Sequence, residues 1–279
     1  MLSHTVGHQP PSALQYGLFS QAAYDVYAAQ PSNLNPSQSE YPSFPAGYSL
    51  ILNIQMTDFF EQTATQRHYG FMARSIAEPM AFVTAFRGTE DMEEWWDDFH
   101  WEPVPFPYMQ GGGNVAAGFL DIYKTFSVTV PGSSNAPAKL TDKLSLPGQI
   151  DLRGRSVSLV AVGHSLGAAL ITLYAADVAS GGWLNPTVYT LASPRVGDTK
   201  FAAAYNSTIA TNYRIWNWPD IVPKFPKDPF DNYKHVKGGF EVDSLEHPEV
   251  KLSLECFHYS QTYLFLLGGP ASALGMCTA

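Results

Sequence analysis

Apolar positions along this chain gather into short continuous runs, with polar, Pro- and Gly-rich stretches or helically spaced stripes between them. The run from Val157 to Val162, broken only by Ser158, is apolar and β-branched, as in a strand covered on both faces of a sheet. Ala81 to Phe86 and Thr187 to Ala192 read the same way. Tyr48 to Met56 and Tyr69 to Ser75 alternate, Asn212 to Trp218 is strand-like, and His235 to Val242 suits a peripheral strand. Helical spacing appears over 12–29, where Leu14, Leu18, Ala22 and Val26 share a face with Tyr16, Phe19 and Tyr27 alongside. It recurs within 115–126 (Ala116, Phe119, Leu120, Tyr123), after residue 165 (Leu170, Leu173, Tyr174, Val178), briefly over 200–205, and in a last helix over 258–267. Residues 30–47 form an extended loop, and 128–155 are mixed. Strands alternating with helices imply an α/β fold with a central, mostly parallel sheet flanked by helices. Neither repeats nor a long linker divide the chain, so residues 1–279 are expected to form one domain.

Composition narrows the function. Of 279 residues, 45% are hydrophobic and only 15% charged, so a large core is available, and the 14% aromatic content suits apolar or aromatic ligands. The net charge of −9, with no basic cluster, argues against a nucleic-acid partner and a strongly anionic membrane, while leaving a neutral lipid interface open. The longest apolar run near the end, Tyr263 to Leu267, is too short to span a membrane. Residues 1–20 show no signal peptide; compartment stays open, with an extracellular setting favoured. Two cysteines, Cys256 and Cys277, are too few for a disulfide framework or a zinc site. They are either free or joined in one bond that would tether the tail to the segment carrying His258.

The strand ending near Val162 runs into Gly163-His164-Ser165-Leu166-Gly167 and then a helix. This is a G-x-S-x-G match in strand–turn–helix context, the setting of a nucleophile elbow. Its plainer reading is a tight turn with an ordinary serine. The glycines spare clashes with the neighbouring strand and helix, and the helix start offers N–H groups to a developing oxyanion. An oxyanion hole needs two donors: the residue after the serine, Leu166, and one from the loop after an earlier strand, where Thr89 stands in Arg87-Gly88-Thr89-Glu90. Met92, Trp95, Trp96 and Phe99 then form one helical stripe, with six acids opposite. The segment of about 90–100 is expected to act as a lid with a substrate-facing apolar side, or to be a fixed surface helix. Gly111-Gly112-Gly113 lacks a preceding strand and gives no phosphate site.

A serine nucleophile needs a histidine base held by a carboxylate, in the chain order Ser, acid, His. Asp198, Asp220, Asp228 and Asp231 are candidate acids; His235, His247 and His258 are candidate bases. Asp220 lies just past a strand, and His258 follows a loop at the expected start of the last helix, so position favours these two.

Phe86-Arg87-Gly88-Thr89, the elbow, Ala192-Ser193-Pro194-Arg195-Val196-Gly197-Asp198, Asp220-Ile221-Val222-Pro223 and Cys256-Phe257-His258 occur in that order, with Trp95 and Asp98 after the oxyanion loop. In this the chain resembles the class 3, fungal-type triacylglycerol lipases of the α/β-hydrolase superfamily, over about residues 12–267. The resemblance implies Ser165 as nucleophile, Asp220 as acid, His258 as base, Thr89 and Leu166 as oxyanion hole, and a lid after Thr89. It places Asp198 in a structural motif and gives His164 a packing role. Ala168 stands where the family mostly has a second glycine, and 128–155 matches weakly. The implied reaction is lipid-ester hydrolysis at a lipid–water interface, with neither metal nor cofactor. Its rivals are a soluble-ester or feruloyl-type esterase, a phospholipase A1, and a catalytically silent lipid-binding or scaffold protein on the same fold.

Overall fold

The computed structural model describes residues 9–59, 64–89, 99–133, 137–138, 145–146, 150–151, 156–181, 184–226 and 232–279. Eight strands build the main sheet: β1 (Tyr48–Asp58), β2 (Thr65–Ser75), β3 (Ala81–Phe86), β4 (Ser127–Thr129), β5 (Ser158–His164), β6 (Thr187–Leu191), β7 (Asn212–Asn217) and β8 (Gly239–Val242). Their order is β8-β7-β6-β5-β3-β2-β1-β4. The half from β3 to β8 pairs in parallel, whereas β2, β1 and β4 pair antiparallel. The sheet is therefore mixed. The expected parallel character holds for the half that carries the elbow, and the antiparallel half follows from the short β1–β2 connection, which leaves no room for a crossover helix.

The helices are α1 (Ala13–Ala29), α2 (Ala117–Lys124), α3 (Leu166–Ser180), α4 (Thr199–Thr208), α5 (Leu254–His258) and α6 (Ser260–Leu266). Alternation along β5 sorts the core into two layers. Leu159 and Ala161 join the cluster under α2, α3 and α4, while Val160 and Val162 join the cluster under α1 and α6. A second sheet of Pro103–Pro105, Asn114–Ala116, Gly197–Asp198 and Tyr233–Lys234 lies apart from the main one.

Several elements differ from the sequence reading. Helix α3 is buried almost all round, with 13 of its 15 residues in the core, because it crosses the sheet under neighbouring helices. Leu18 points outward at 45% exposure; α1 instead buries Ala13, Gly17, Phe19, Ser20, Ala22, Ala23 and Val26. Small residues there let the helix lie close to the sheet. The outer strand shrinks to Gly239–Val242. The expected last helix is two short ones, broken at Tyr259, whose ψ of 139° is extended. His258 thus closes α5 instead of opening the final helix. Cys256 and Cys277 are disulfide-bonded, which answers the open question about them.

Candidate active site

Strand β5 delivers Ser165 into a backbone conformation of φ 57°, ψ −126°, sterically costly for a residue with a Cβ. What over-determines it is close packing on both sides. A Cβ on Gly163 would lie 2.4 Å from the Gly167 carbonyl oxygen, and one on Gly167 would lie 2.4 Å from that of Arg87. The Ser165 N–H donates to Leu191 O at 2.9 Å, tying the turn to β6.

Three residues that the sequence singled out meet at this turn. The Ser165 hydroxyl lies 2.8 Å from His258 Nε2, and His258 Nδ1 lies 2.8 Å from Asp220 Oδ2. A carboxylate only accepts, so Nδ1 carries the proton and Nε2 is free to accept from the serine. All three are almost wholly buried, which strengthens each interaction. Asp220 sits in the turn after β7 and is held twice more: Val222 N–H donates to Oδ1 at 2.9 Å, and the Tyr263 hydroxyl donates to Oδ2 at 2.7 Å. The same Tyr263 oxygen accepts the Asn217 N–H at 2.9 Å. Burial, then the Asp220 charge, push the Tyr263 hydroxyl well above its ordinary pKa, so it stays a donor.

His164 does more than pack. Its Nε2 lies 2.8 Å from the His258 carbonyl oxygen and must donate to it, leaving Nδ1 to accept from the Tyr24 hydroxyl at 2.8 Å. Burial, then the neighbouring His258, depress its pKa well below the usual value. It is therefore neutral and adds no positive charge beside the His258 ring, 4.8 Å away between centroids. Sequence reasoning missed Tyr24 and Tyr263. A signal for the first existed: Gln21, Tyr24, Asp25 and Ala28 make a second stripe on α1.

Thr89 follows β3, and Leu166 opens α3. Among the described residues neither backbone N–H has a hydrogen-bond partner, so both are available as donors beside Ser165. The approach to Thr89 is set by Arg87, whose Nε donates to His68 O and whose Nη1 donates to Gly88 O, at 2.8 and 2.6 Å. Its guanidinium lies 3.5 Å from the Tyr27 ring centroid. Met92, Trp95 and Trp96 lie outside the described residues, as do Asp228 and Asp231. Phe99 is buried against Trp101 and Phe119, at ring separations of 4.5 and 4.6 Å, and does not line the cleft described next. Asp198 is structural, capping α4 through Phe201 N–H and accepting from Asn114. His235 bonds the Pro223 carbonyl, and His247 packs on Phe265.

A cleft of about 400 Å³ borders His258 and Thr89, between α1, α6 and the 274–276 segment. Among the described residues no cluster of His, Cys, Asp and Glu could hold a metal, and no helix is long and apolar enough to cross a membrane.

A mixed sheet whose parallel half ends in a strained serine at a helix start, with histidine and aspartate from later loops, defines an α/β-hydrolase. The family model for "Lipase (class 3)" matches residues 83–230. The chain belongs to the class 3 lipase family. It is 32% identical over 214 residues to phospholipase A1-II 3 of Oryza sativa subsp. japonica, covering 68% of this chain and 49% of that protein. The chain thus spans about half the length of the curated relatives it matches. Among solved structures, the native Rhizomucor miehei lipase propeptide complex superposes with a TM-score of 0.61 at 23% identity, covering 98% of this chain and 84% of that one. The lipase of Rhizopus microsporus var. chinensis gives 0.59 at 24%, covering 83% and 73%.

Proposed function

We propose that this protein hydrolyses carboxylic esters of lipids by a Ser–His–Asp acyl-enzyme mechanism. The observation that carries the reading is the buried relay from Ser165 through His258 to Asp220, starting at a serine in a strained elbow. Ser165 Oγ attacks the acyl carbonyl while His258 Nε2 takes its proton; Asp220 fixes the tautomer and stabilises the imidazolium. The N–H groups of Thr89 and Leu166 hold the oxyanion, an interaction worth about 10²–10³ in turnover per donor in such sites. His258 then protonates the leaving alcohol. Water, deprotonated by the same histidine, attacks the acyl-enzyme, and the acid leaves as Ser165 is regenerated.

Neutral acylglycerols are the favoured substrates, in keeping with the lipases whose fold the chain shares. Phospholipase A1 action is the second reading, favoured by the name of the rice relative. The test is hydrolysis of tributyrin across its solubility limit, with Ser165→Ala beside the wild type. The expected result is turnover that falls by about 10³ or more in the variant. A rate jump at droplet formation supports action at an interface; saturation below the limit supports a soluble-ester esterase. Equal activity of Ser165→Ala and wild type refutes the mechanism.

A further inference from the structure

The cleft beside His258 has a chemistry of its own. Helix α1 presents Gln21 and Asp25 on one wall, and Ser260 stands at the other with Met276 at the rim. Two polar atoms of these lining residues, Gln21 Oε1 and Ser260 Oγ, are buried and have no hydrogen-bond partner. Ser260 is only 5% exposed. Buried polar atoms are ordinarily paired, so two orphans lining one cleft mark a place where a bound group completes the pairing. The Gln21 amide nitrogen is already spent, donating to Asp25 Oδ1 at 2.7 Å. That leaves its oxygen as a fixed acceptor, and the Ser260 hydroxyl accepts or donates. The matching ligand carries hydroxyl groups. Asp25 adds a negative charge to the wall, and among the described lining residues there is neither Lys nor Arg, so the cleft is ill suited to a phosphate.

Position assigns the cleft to one part of an ester. His258 both lines it and, in the mechanism above, hands a proton to the departing alcohol, so a group seated there is attached on the alcohol side.

We propose that this cleft is the alcohol subsite, and that Gln21 and Ser260 select esters whose alcohol part bears free hydroxyls: the glycerol of a partial glyceride or a sugar. The inference rests on the hydrolase reading above. Its test compares kcat/KM below the solubility limit for three butyrate esters, namely glycerol 1-monobutyrate, a glucose monobutyrate and propyl butyrate. The wild type is expected to favour at least one hydroxylated ester over propyl butyrate by about tenfold, since a site built to bond a hydroxyl rejects the analogue lacking it. Whichever hydroxylated ester leads identifies the alcohol. Gln21→Met, which keeps side-chain length, and Ser260→Ala are each expected to cut that ratio by about threefold or more, with melting curves confirming that both are folded. Overturning results are a wild-type ratio within twofold of one, or variants that keep the wild-type ratio. Variants that instead change the preference between butyrate and octanoate esters of one alcohol also overturn it, by assigning the cleft to the acyl chain. If Ser165-intact enzyme cleaves none of the esters, the hydrolase reading falls and takes this inference with it; a ratio near one with good turnover refutes this inference alone.

Discussion

Tyr263→Phe removes one oxygen atom from the centre of the site and keeps the ring. That oxygen donates to Asp220 Oδ2 and accepts from Asn217 N–H, and all three residues are buried. A hydrogen bond to a charged carboxylate contributes about 1.5–3 kcal/mol, and a buried N–H left without a partner costs about 1–3 kcal/mol. Because no other residue takes over either contact, a net loss of about 3 kcal/mol is expected. With an unfolding entropy of about 2.1 cal/mol/K per residue, a chain of 279 residues loses roughly 5 °C of melting temperature. Asp220 keeps its bonds to His258 and to Val222 N–H but is less firmly aimed, so kcat for a soluble ester is expected to fall about tenfold with KM little changed. Burial and the Asp220 charge keep the Tyr263 proton in place far above neutrality, so the defect should be equal at pH 6 and pH 9. Differential scanning calorimetry and initial rates at both pH values check this. A variant with wild-type melting temperature and kcat would refute the claim that Tyr263 holds the carboxylate.

Gly167→Ala places a Cβ 2.4 Å from backbone carbonyl oxygen, which cannot swing aside, so loss of soluble or active protein is expected in an expression and activity screen. His68 and His235 are each lowered to about 3, chiefly by burial and then by Arg87 or Arg214, and His164 is lowered well below its usual value. The unfolded chain binds these protons near pH 6.5 while the folded one does not, so stability is complete above that pH and falls as pH drops toward 3. The slope is about 1.4 kcal/mol per pH unit per histidine, readable from urea midpoints at pH 7 and pH 5. Cys256→Ser with Cys277→Ser opens a closure of 21 residues, worth about 3 kcal/mol on loop entropy alone; an unchanged urea midpoint would contradict it.

What the sequence revealed depended on the range of the interaction. β3 and the strand–turn–helix around Ser165 were legible because buried parallel strands and the elbow are written in consecutive residues. Asp220 and His258 were legible through their place after a strand and before the chain's last apolar stripe, and the structure brings both to Ser165. Tyr259 was not legible as a break, since nothing local forbids a helix there; the break turns the His258 ring toward β5 while its carbonyl is taken by His164. Leu18 misled because hydrophobicity alone chose the inner face of α1, whereas close approach to the sheet selected Gly17 and Ser20, whose hydroxyl donates to Phe86 O. The Tyr24–His164 pair links positions 140 residues apart, beyond any periodicity.

That pair ties function to the order in which the chain is made. The elbow can form once β3, β5 and β6 are paired, but its base arrives from 93 residues further on, and the carbonyl of that base is gripped by a histidine that α1 holds in turn. A nascent chain shows its serine to the cytosol or to the translocation machinery long before anything can draw off the hydroxyl proton. Hydrolytic power is thus the last property acquired during synthesis. Fraying of α1 or of the segment 254–266 is enough to switch it off while the sheet stands, so activity should decay ahead of bulk unfolding under mild heat.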